Sequence, residues 1–429
     1  MHTKTLYAIM ALALLGVTMR HDATAHTVTG QHTVAEPVNQ FRSLGVVLPH
    51  VLVTAMAFQP NGVIYAGGRY LIPVNDPHAT PPVLVAGSVW AVSHDHGAHW
   101  ATQISSTAQT SPNAQLWRRP TVWPDSFTAN SIAVDPLNPR VIYVAGCMSD
   151  QTCAGSSGGH YVLRSVDGGR TWHDALLFSR VPAPHGNVVV TPLLQQVLRR
   201  GGTQLTQAYD VVVDPHNDKR VYACVSGLGM LRSDDGARSW RYAAQPLWLN
   251  GRCELLIDPL NSKVVYSLDR QNKVLYRTTN SGASWTVRSA FAEYNQDILV
   301  LSGLTLLGRT LYMNGLNGLY ASIDGGAHWV RAIKPPSAGT MGPSIRGSGG
   351  WITAFVPKAN TQPEGLYAAR DGGPWQLAAN TDQQGLRYYG SLDFQSYGSG
   401  VIRVWEDHAA RVVFTTPQTG GVYRWSSEL

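Results

Sequence analysis

One octapeptide recurs along the chain and limits its fold more than any other feature. Ser93 to Trp100, Ser165 to Trp172 and Ser322 to Trp329 all read S-x-D-x-G-x-x-W. Ser233 to Trp240 keeps the Ser, Asp235 and the Trp but has Ala237 at the Gly position, and Thr278 to Trp285 has Asn280 in place of the Asp. A sixth copy, Ala369 to Trp375, is one residue short. The spacing has a physical reading. A short acceptor at the third position takes N–H bonds from the turn, Gly at the fifth supplies φ > 0, and Ser or Thr at the first braces the turn. The Trp is expected to plug the hairpin into its sheet. Each copy follows an alternating run such as Gly318 to Ala321 or Val274 to Arg277, so it joins two antiparallel strands.

A second repeat lies upstream of several copies: Ile132 to Pro136, Val211 to Pro215 and Leu255 to Pro259 are apolar runs ending in Asp-Pro. Each passes through an Asn-containing turn into Val141-Ile142-Tyr143, Val221-Tyr222 or Val264-Val265-Tyr266. Continuous apolar runs suit strands buried on both faces. One unit is therefore a first strand, an Asp-Pro turn, a second strand, a variable loop, a third strand, the octapeptide and a fourth strand. A four-stranded unit in tandem is a propeller blade. Composition agrees: 429 residues with 44% hydrophobic, 14% charged, Gly 42 and Pro 25 exclude a disordered chain and favour short strands and tight turns.

These motifs resemble the Asp-box, or BNR, repeat propellers, which include sialidases, oligoxyloglucan-type glycoside hydrolases, sortilin-like ectodomains and photosystem II assembly factors. The resemblance covers nearly all of the chain after its leader and implies an all-β, seven-bladed propeller with one domain over 26–429. Third strands are expected near Val89, Tyr161, Met230, Leu275, Leu319, Leu366 and Val422. The last leaves no room for a fourth, so an N-terminal strand around Gln40 to Val47 is expected to complete that blade. Blade six shows no clear first strand, which keeps six blades as the alternative.

Both regular turns fall on one face of such a unit. The segments 71–86, 106–129, 147–159, 177–208, 333–350 and 376–399 fall on the other, and loops displayed by a rigid scaffold carry function. Asp95, Asp167, Asp235, Asn280 and Asp324 are accordingly structural turn residues, and His94, His96 and His99 a solvated surface rather than a metal cluster. Asp210 and Glu254, four residues before Asp214 and Asp258, stand at the loop end of their first strands, and Asp297 precedes Ile298 to Val300 similarly. These three converge at the channel mouth, either as a polar rim or as a general acid and base. Trp117, Arg118, Arg119 and Trp123, Arg199 and Arg200, and Arg387 with Tyr388 and Tyr389 are candidates to stack on sugars or pair with carboxylates, or else to pack the insertions; Leu193 to Arg200 suits a short helix.

The N-terminus has Lys4, an apolar run from Leu6 to Met19 and Ala23-Thr24-Ala25, which reads as a signal peptide over 1–25. A retained anchor would need a longer run. Export implies that Cys147, Cys153, Cys224 and Cys253 form two disulfides. Of three connectivities, Cys147–Cys153 and Cys224–Cys253 is the one expected from the strand layout. No zinc spacing occurs, no cofactor is implied, and a mature N-terminal His26 alone does not make a copper site. The net charge of +6 is scattered, with no run of five like charges, so no nucleic-acid partner is indicated.

Among the activities the resemblance offers, a sialidase carries an arginine within F/Y-R-I-P where this chain has Tyr70-Leu71-Ile72-Pro73. The xyloglucan-type enzymes carry an early acidic T-D-I-G-G-A-Y-R-W-D-like segment, where this chain has only Val422 to Trp425 at its end. The cysteine-rich module that follows sortilin-like propellers does not appear here, and the arginine patch of the photosystem factors is matched loosely. The reading is a secreted monomeric module binding an extracellular glycan or protein through the insertion face; the alternative is a glycosidase using the channel-mouth carboxylates.

Overall fold

The apolar runs bounded by Asp-Pro and octapeptide turns become strands, and no helix occurs among the described residues. The computed structural model describes residues 42–46, 51–59, 61–73, 84–95, 97–106, 123, 127–148, 158–179, 207–225, 229–243, 253–270, 272–291, 302–315, 318–333, 345–348, 351–356, 365–370, 376–380, 403–407, 412–416 and 421–426. All belong to the unit Val38–Leu429. The expected signal peptide 1–25 and the expected helix at Leu193 to Arg200 lie outside the described residues.

The strands form four-stranded antiparallel sheets, seven of them among the described residues. Six sheets take four strands in chain order. The last combines Arg403–Asp407, Val412–Thr416 and Gly421–Ser426 with the N-terminal strand Arg42–Val46, which runs antiparallel to Gly421–Ser426 with Ser43 opposite Tyr423. The first strands of the successive sheets are Val51–Phe58, Phe127–Val134, Ala208–Asp214, Cys253–Ile257, Ser302–Leu307, Ile345–Ser348 and Arg403–Asp407. Each contacts the next, and Arg403–Asp407 contacts Val51–Phe58. The sixth sheet does have a first strand, inside the segment 333–350 expected to be an insertion. Other expected insertions are also shorter than the sequence suggested, since strands run to Pro73, Met148 and Ser179 and begin at Leu84, Phe127 and Gly158.

The apolar core lies between adjacent sheets. Tyr65 and Trp90 of the first sheet pack with Phe127, Ile142, Leu163 and Trp172 of the second, and Leu268 and Leu275 of the fourth with Leu304, Leu311 and Met313 of the fifth. The octapeptide tryptophans therefore do more than plug their own sheets. Trp172 meets Trp90 of the preceding sheet edge-on at 4.7 Å, and the Trp240 indole N–H donates to Ala175 O of the preceding sheet at 2.7 Å.

Each turn is braced as its residue types require. Ser93, Ser165 and Ser322 Oγ donate to Asp95, Asp167 and Asp324 Oδ1 at 2.8 Å, and Asp235 accepts from Ser233 at 2.7 Å. The same hydroxyls accept the N–H of the fifth residue at 2.8–2.9 Å. That residue is left-handed in each of the five described copies, including Ala237 at φ 64°, where the Cβ opposes the conformation. Where the Asp is Asn280, Thr278 Oγ1 still donates to its Oδ1 at 2.8 Å.

A Tyr and Arg pair on each of the second to fourth sheets faces the octapeptide turn of the next sheet. Tyr143 stands opposite Arg164, Tyr222 opposite Arg232 and Tyr266 opposite Arg277. Tyr222 Oη donates to Ser281 O at 2.9 Å, and Arg232 donates to the same carbonyl. A Cβ on Gly325 would stand 3.2 Å from Tyr266 Oη and 3.4 Å from Arg277, so this pair approaches its turn closely. Sheet order is thus specified by repeated polar contacts as well as apolar burial.

Candidate functional site

The innermost strands of the third and fourth sheets carry two of the carboxylates that the sequence singled out, Asp210 and Glu254. Register shifts, which mark an extra residue in one strand, occur between Val53 and Ala55, Ala129 and Ser131, Ala208 and Asp210, and Ser302 and Thr305. A bulge bends its strand and re-aims a side chain, here toward the neighbouring sheet. Thr54 Oγ1 donates to Ala129 O at 2.5 Å, Asn130 Nδ2 to Ala208 O at 2.8 Å, and Ser131 Oγ to Asp210 Oδ1 at 2.5 Å. The third sheet continues the chain of links: Leu255 N–H donates to Asp210 Oδ2 at 2.8 Å, and Leu304 N–H to Glu254 Oε2 at 3.0 Å.

Asp210 is therefore held on both oxygens, with Val211 N–H also donating to Oδ1 at 2.9 Å. These donors give it a tying role between three sheets. Glu254 is engaged on one oxygen by Leu304 and on the other by Arg270, whose Nη1 lies 3.2 Å from Oε1. Side-chain exposures of 25% for Glu254 and 18% for Arg270 leave this pair partly open to solvent. Arg270 follows directly on the strand Val265–Asp269, at the end of the sheet where Glu254 begins its own strand. Sequence reading missed it because no motif contains it; its place one residue beyond a strand end, across the ladder from the start of Glu254's strand, was the available signal. Asp297 lies outside the described residues.

The aromatic and basic candidates divide. Trp117, Arg118, Arg119, Arg199, Arg200, Arg387, Tyr388 and Tyr389 lie outside the described residues. Trp123 does not offer a ligand surface: it is 2% exposed, stacked on Trp90 at 5.2 Å and edge-on to Phe127 and Trp172. The expectation of a ligand contact at Trp123 is corrected to a core residue, because its indole is buried in the apolar cluster shared by the first two sheets, against Trp90, Phe127 and Trp172.

The turn carboxylates are locked in place. Asp167 Oδ1 accepts from Ser165 Oγ and from the Arg170 and Thr171 N–H groups, while Oδ2 accepts Thr171 Oγ1 at 2.6 Å. Burial works to raise its pKa, but these bonds outweigh it and bring the group down to about 2. His99 and His328 replace that hydroxyl, their Nδ1 atoms lying 2.6 Å from Asp95 and Asp324 Oδ2. His99 is thus a partner of its own turn; His96 lies outside the described residues.

Two disulfide partners are seen directly: Cys224 is bonded to Cys253 with Cα atoms 6.3 Å apart, tying the second strand of the third sheet to the first strand of the fourth. Cys147 is disulfide-bonded as well, and Cys153 lies outside the described residues. Among the described residues, no helix is long and apolar enough to cross a membrane.

No family model matches the chain. A xyloglucanase of Paenibacillus sp. is 23% identical to it over 210 residues, 40% of this chain and 20% of that protein. The match spans only a fifth of the curated relative's length. Among solved structures, the GH74 xyloglucanase from Xanthomonas campestris superposes with a TM-score of 0.54 and 16% identity, covering 90% of this chain and 53% of that one. YCF48 bound to D1 peptide superposes with a TM-score of 0.51 and 12% identity, covering 92% of this chain and 99% of that one. The fold is that of a β-propeller. At these identities the likenesses speak to the fold alone.

Proposed function

We propose that this chain is an exported, seven-bladed Asp-box propeller that binds an extracellular glycan through its insertion face without cleaving it. The observation that carries this reading is the engagement of Asp210. A general acid or base must be free to exchange a proton with substrate, whereas Asp210 accepts hydrogen bonds from Ser131, Val211 and Leu255 and joins three sheets. The disulfide supports an oxidising compartment, and the leader over 1–25 supplies the route there. The N-terminal strand paired with Gly421–Ser426 supports closure of the ring. Glycan comes first among ligands because the curated relative is a xyloglucanase. Contact residues are proposed at Trp117, Arg118, Arg119, Arg387 and Tyr388, and the protein acts as a monomer of one domain over 26–429.

A second reading, a glycosidase acting through Glu254 and Asp297, is favoured by the similarity to xyloglucanases and by the solvent access of Glu254 beside Arg270. One experiment separates the two. The secreted protein is run in affinity electrophoresis through xyloglucan and other β-glucans, and the same polymers are assayed for new reducing ends. Retardation without new reducing ends supports binding alone; new reducing ends that vanish in Glu254→Gln with the fold intact support the hydrolase.

A further inference from the structure

The third and fourth sheets depart from the repeat at two matching places. Six residues after the Asp of its Asp-Pro turn, the second sheet has Val141 and the fourth has Val264. Both are buried in the apolar cluster shared with the next sheet, but the third sheet has Arg220 at this place. The fourth octapeptide position is Gly168, Gly236 and Gly325 in the second, third and fifth copies, left-handed at φ 77°, 74° and 72°. In the fourth copy it is Ser281, left-handed at φ 57°, a conformation that costs Ser what it does not cost Gly. Gly236 lies nearest Tyr143 of the second sheet and Gly325 nearest Tyr266 of the fourth, while Ser281 meets Tyr222 of the third. Val on one sheet with Gly on the next is therefore the combination at two interfaces. At the interface between them, both members are replaced together.

The two replacements are bonded to each other. Arg220 Nη1 donates to Ser281 Oγ at 3.2 Å and to Asp214 Oδ2 at 3.2 Å, and Ser281 O accepts from Tyr222 Oη at 2.9 Å and from Arg232 Nη1. Asp234 completes the set at the second octapeptide position, where the second, fourth and fifth copies have Val166, Thr279 and Ile323. Its Oδ1 accepts from Arg232 Nε at 2.9 Å and from Arg220 Nε at 3.3 Å. The Asp214 carboxylate is fully buried and Arg220 largely so, which strengthens bonds from a charged donor. A strained residue persists where its surroundings over-determine it, and three side chains of the third sheet hold Ser281 in this way. The fold does not itself require Arg220 beside a buried Asp. Asp135, the equivalent of Asp214, is buried next to Val141 on main-chain bonds from Leu137 and Asn138.

We propose that Arg220 and Ser281 are a keyed pair by which the fourth sheet recognises the third among sheets built to one pattern. Seated on a sheet with Val at this place, the Ser281 turn would keep its strain without the bond that offsets it, and Arg220 against a Gly turn would lose an acceptor. Cys224–Cys253 joins the same two sheets at their other end, so correct seating also brings the right cysteines together. A thermal-melting cycle of Arg220→Val and Ser281→Gly in the full chain tests the pair. Ser281→Gly is expected to lower the melting temperature of the parent by about 2 °C or more. In the Arg220→Val background it is expected to raise it, because only strain remains to be relieved there. The same direction in both backgrounds would overturn the key. Arg220→Val/Ser281→Gly restores the combination of the neighbouring interfaces and is expected to fold even if Arg220→Val alone does not; its failure to fold would overturn the key as well. Oxidative refolding of the reduced, unfolded chain reads the ordering. Peptide mapping is expected to find a larger share of Cys224–Cys253, against crossed pairs with Cys147 or Cys153, in the parent than in the Val/Gly variant. An equal share would overturn the role in ordering.

Discussion

Asp210, on the innermost strand of the third sheet, accepts the main-chain N–H of Leu255, on the innermost strand of the fourth, at 2.8 Å. That single bond converts a residue that looks catalytic by position into a tie between neighbouring sheets. Removing it should therefore be read in stability. Asp210→Ala leaves the Leu255 N–H and the Ser131 hydroxyl without an acceptor and should destabilise the protein by about 2 kcal/mol, with Asp210→Asn milder because one oxygen remains. Urea unfolding followed by tryptophan fluorescence measures both. Wild-type stability in Asp210→Ala would mean that the tie carries nothing.

Two adjacent glycines separate backbone strain from packing. Gly168 and Gly169 have φ of 77° and 86°, but a Cβ on Gly168 meets nothing within 4 Å, whereas on Gly169 it would stand 2.7 Å from Trp90 Nε1. Gly168→Ala should lose about 1 kcal/mol from the left-handed conformation alone. Gly169→Ala should lose clearly more, because the buried Trp90 must shift against the neighbouring sheet. Melting curves of the two variants that coincide would contradict the close approach.

The turn carboxylates set the acid limit of the fold. Asp167 titrates near about 2 in the folded protein, and Asp95, Asp235 and Asp324 are also lowered, Asp95 and Asp324 chiefly by the bonds from His99 and His328. An unfolded Asp titrates near about 4, so the stability these groups contribute is complete above that value and is lost as pH falls toward about 2. Asp135 acts in the opposite sense. Burial raises it against the bonds from Leu137 and Asn138, so its contribution is complete at low pH and fades as pH rises. Four lowered groups in the turns outweigh it, and the melting temperature should drop steeply below about pH 4. Asp167→Asn should flatten that drop, and an unchanged slope would remove Asp167 from the account.

How much of this was legible follows from where the chain repeats itself. The octapeptide specifies its turn through local bonds between residues two to four apart, so Ser165, Asp167 and Gly169 could be given their roles from spacing alone. Cys224 and Cys253 were also readable, because one ends a second strand and the other begins the next first strand. The bonds between sheets were not. Asp210 meets Leu255 and Glu254 meets Leu304 across separations of 45 and 50 residues, and only the closing of adjacent units brings them together. Trp123 misled for a related reason: a Trp in an irregular segment looks exposed until the gap it fills is known.

Trp123 provides the next check. With no hydrogen-bond partner for its indole N–H among the described residues and ring contacts to Trp90, Phe127 and Trp172, its role is volume and aromatic contact. Trp123→Ala should destabilise by about 3–5 kcal/mol and Trp123→Phe by less. Near-ultraviolet circular dichroism should lose intensity in both, since the close Trp90, Trp123 and Trp172 rings contribute jointly. Glycan retardation by folded Trp123→Phe should match the parent, and a selective loss of retardation would return Trp123 to the binding surface.

The disulfide and the Asp210 tie act on the same pair of sheets, which makes their combination informative. Cys224–Cys253 closes a segment with a sequence separation of 29, for which the chain-entropy estimate is about 3.6 kcal/mol. The double variant Cys224→Ser/Cys253→Ser should lose stability of that order, measured by denaturant unfolding under oxidising conditions. Leu255 follows Cys253 by two residues on the same strand, so the bond that holds Asp210 is close to the covalent link. If the disulfide only restricts the unfolded chain, the losses from Asp210→Ala and from the cysteine pair should add. If it also holds the fourth sheet in register against the third, Asp210→Ala should lose more in the cysteine-free protein than in the parent. A smaller loss in the cysteine-free protein would show that the tie depends on the covalent link to form at all.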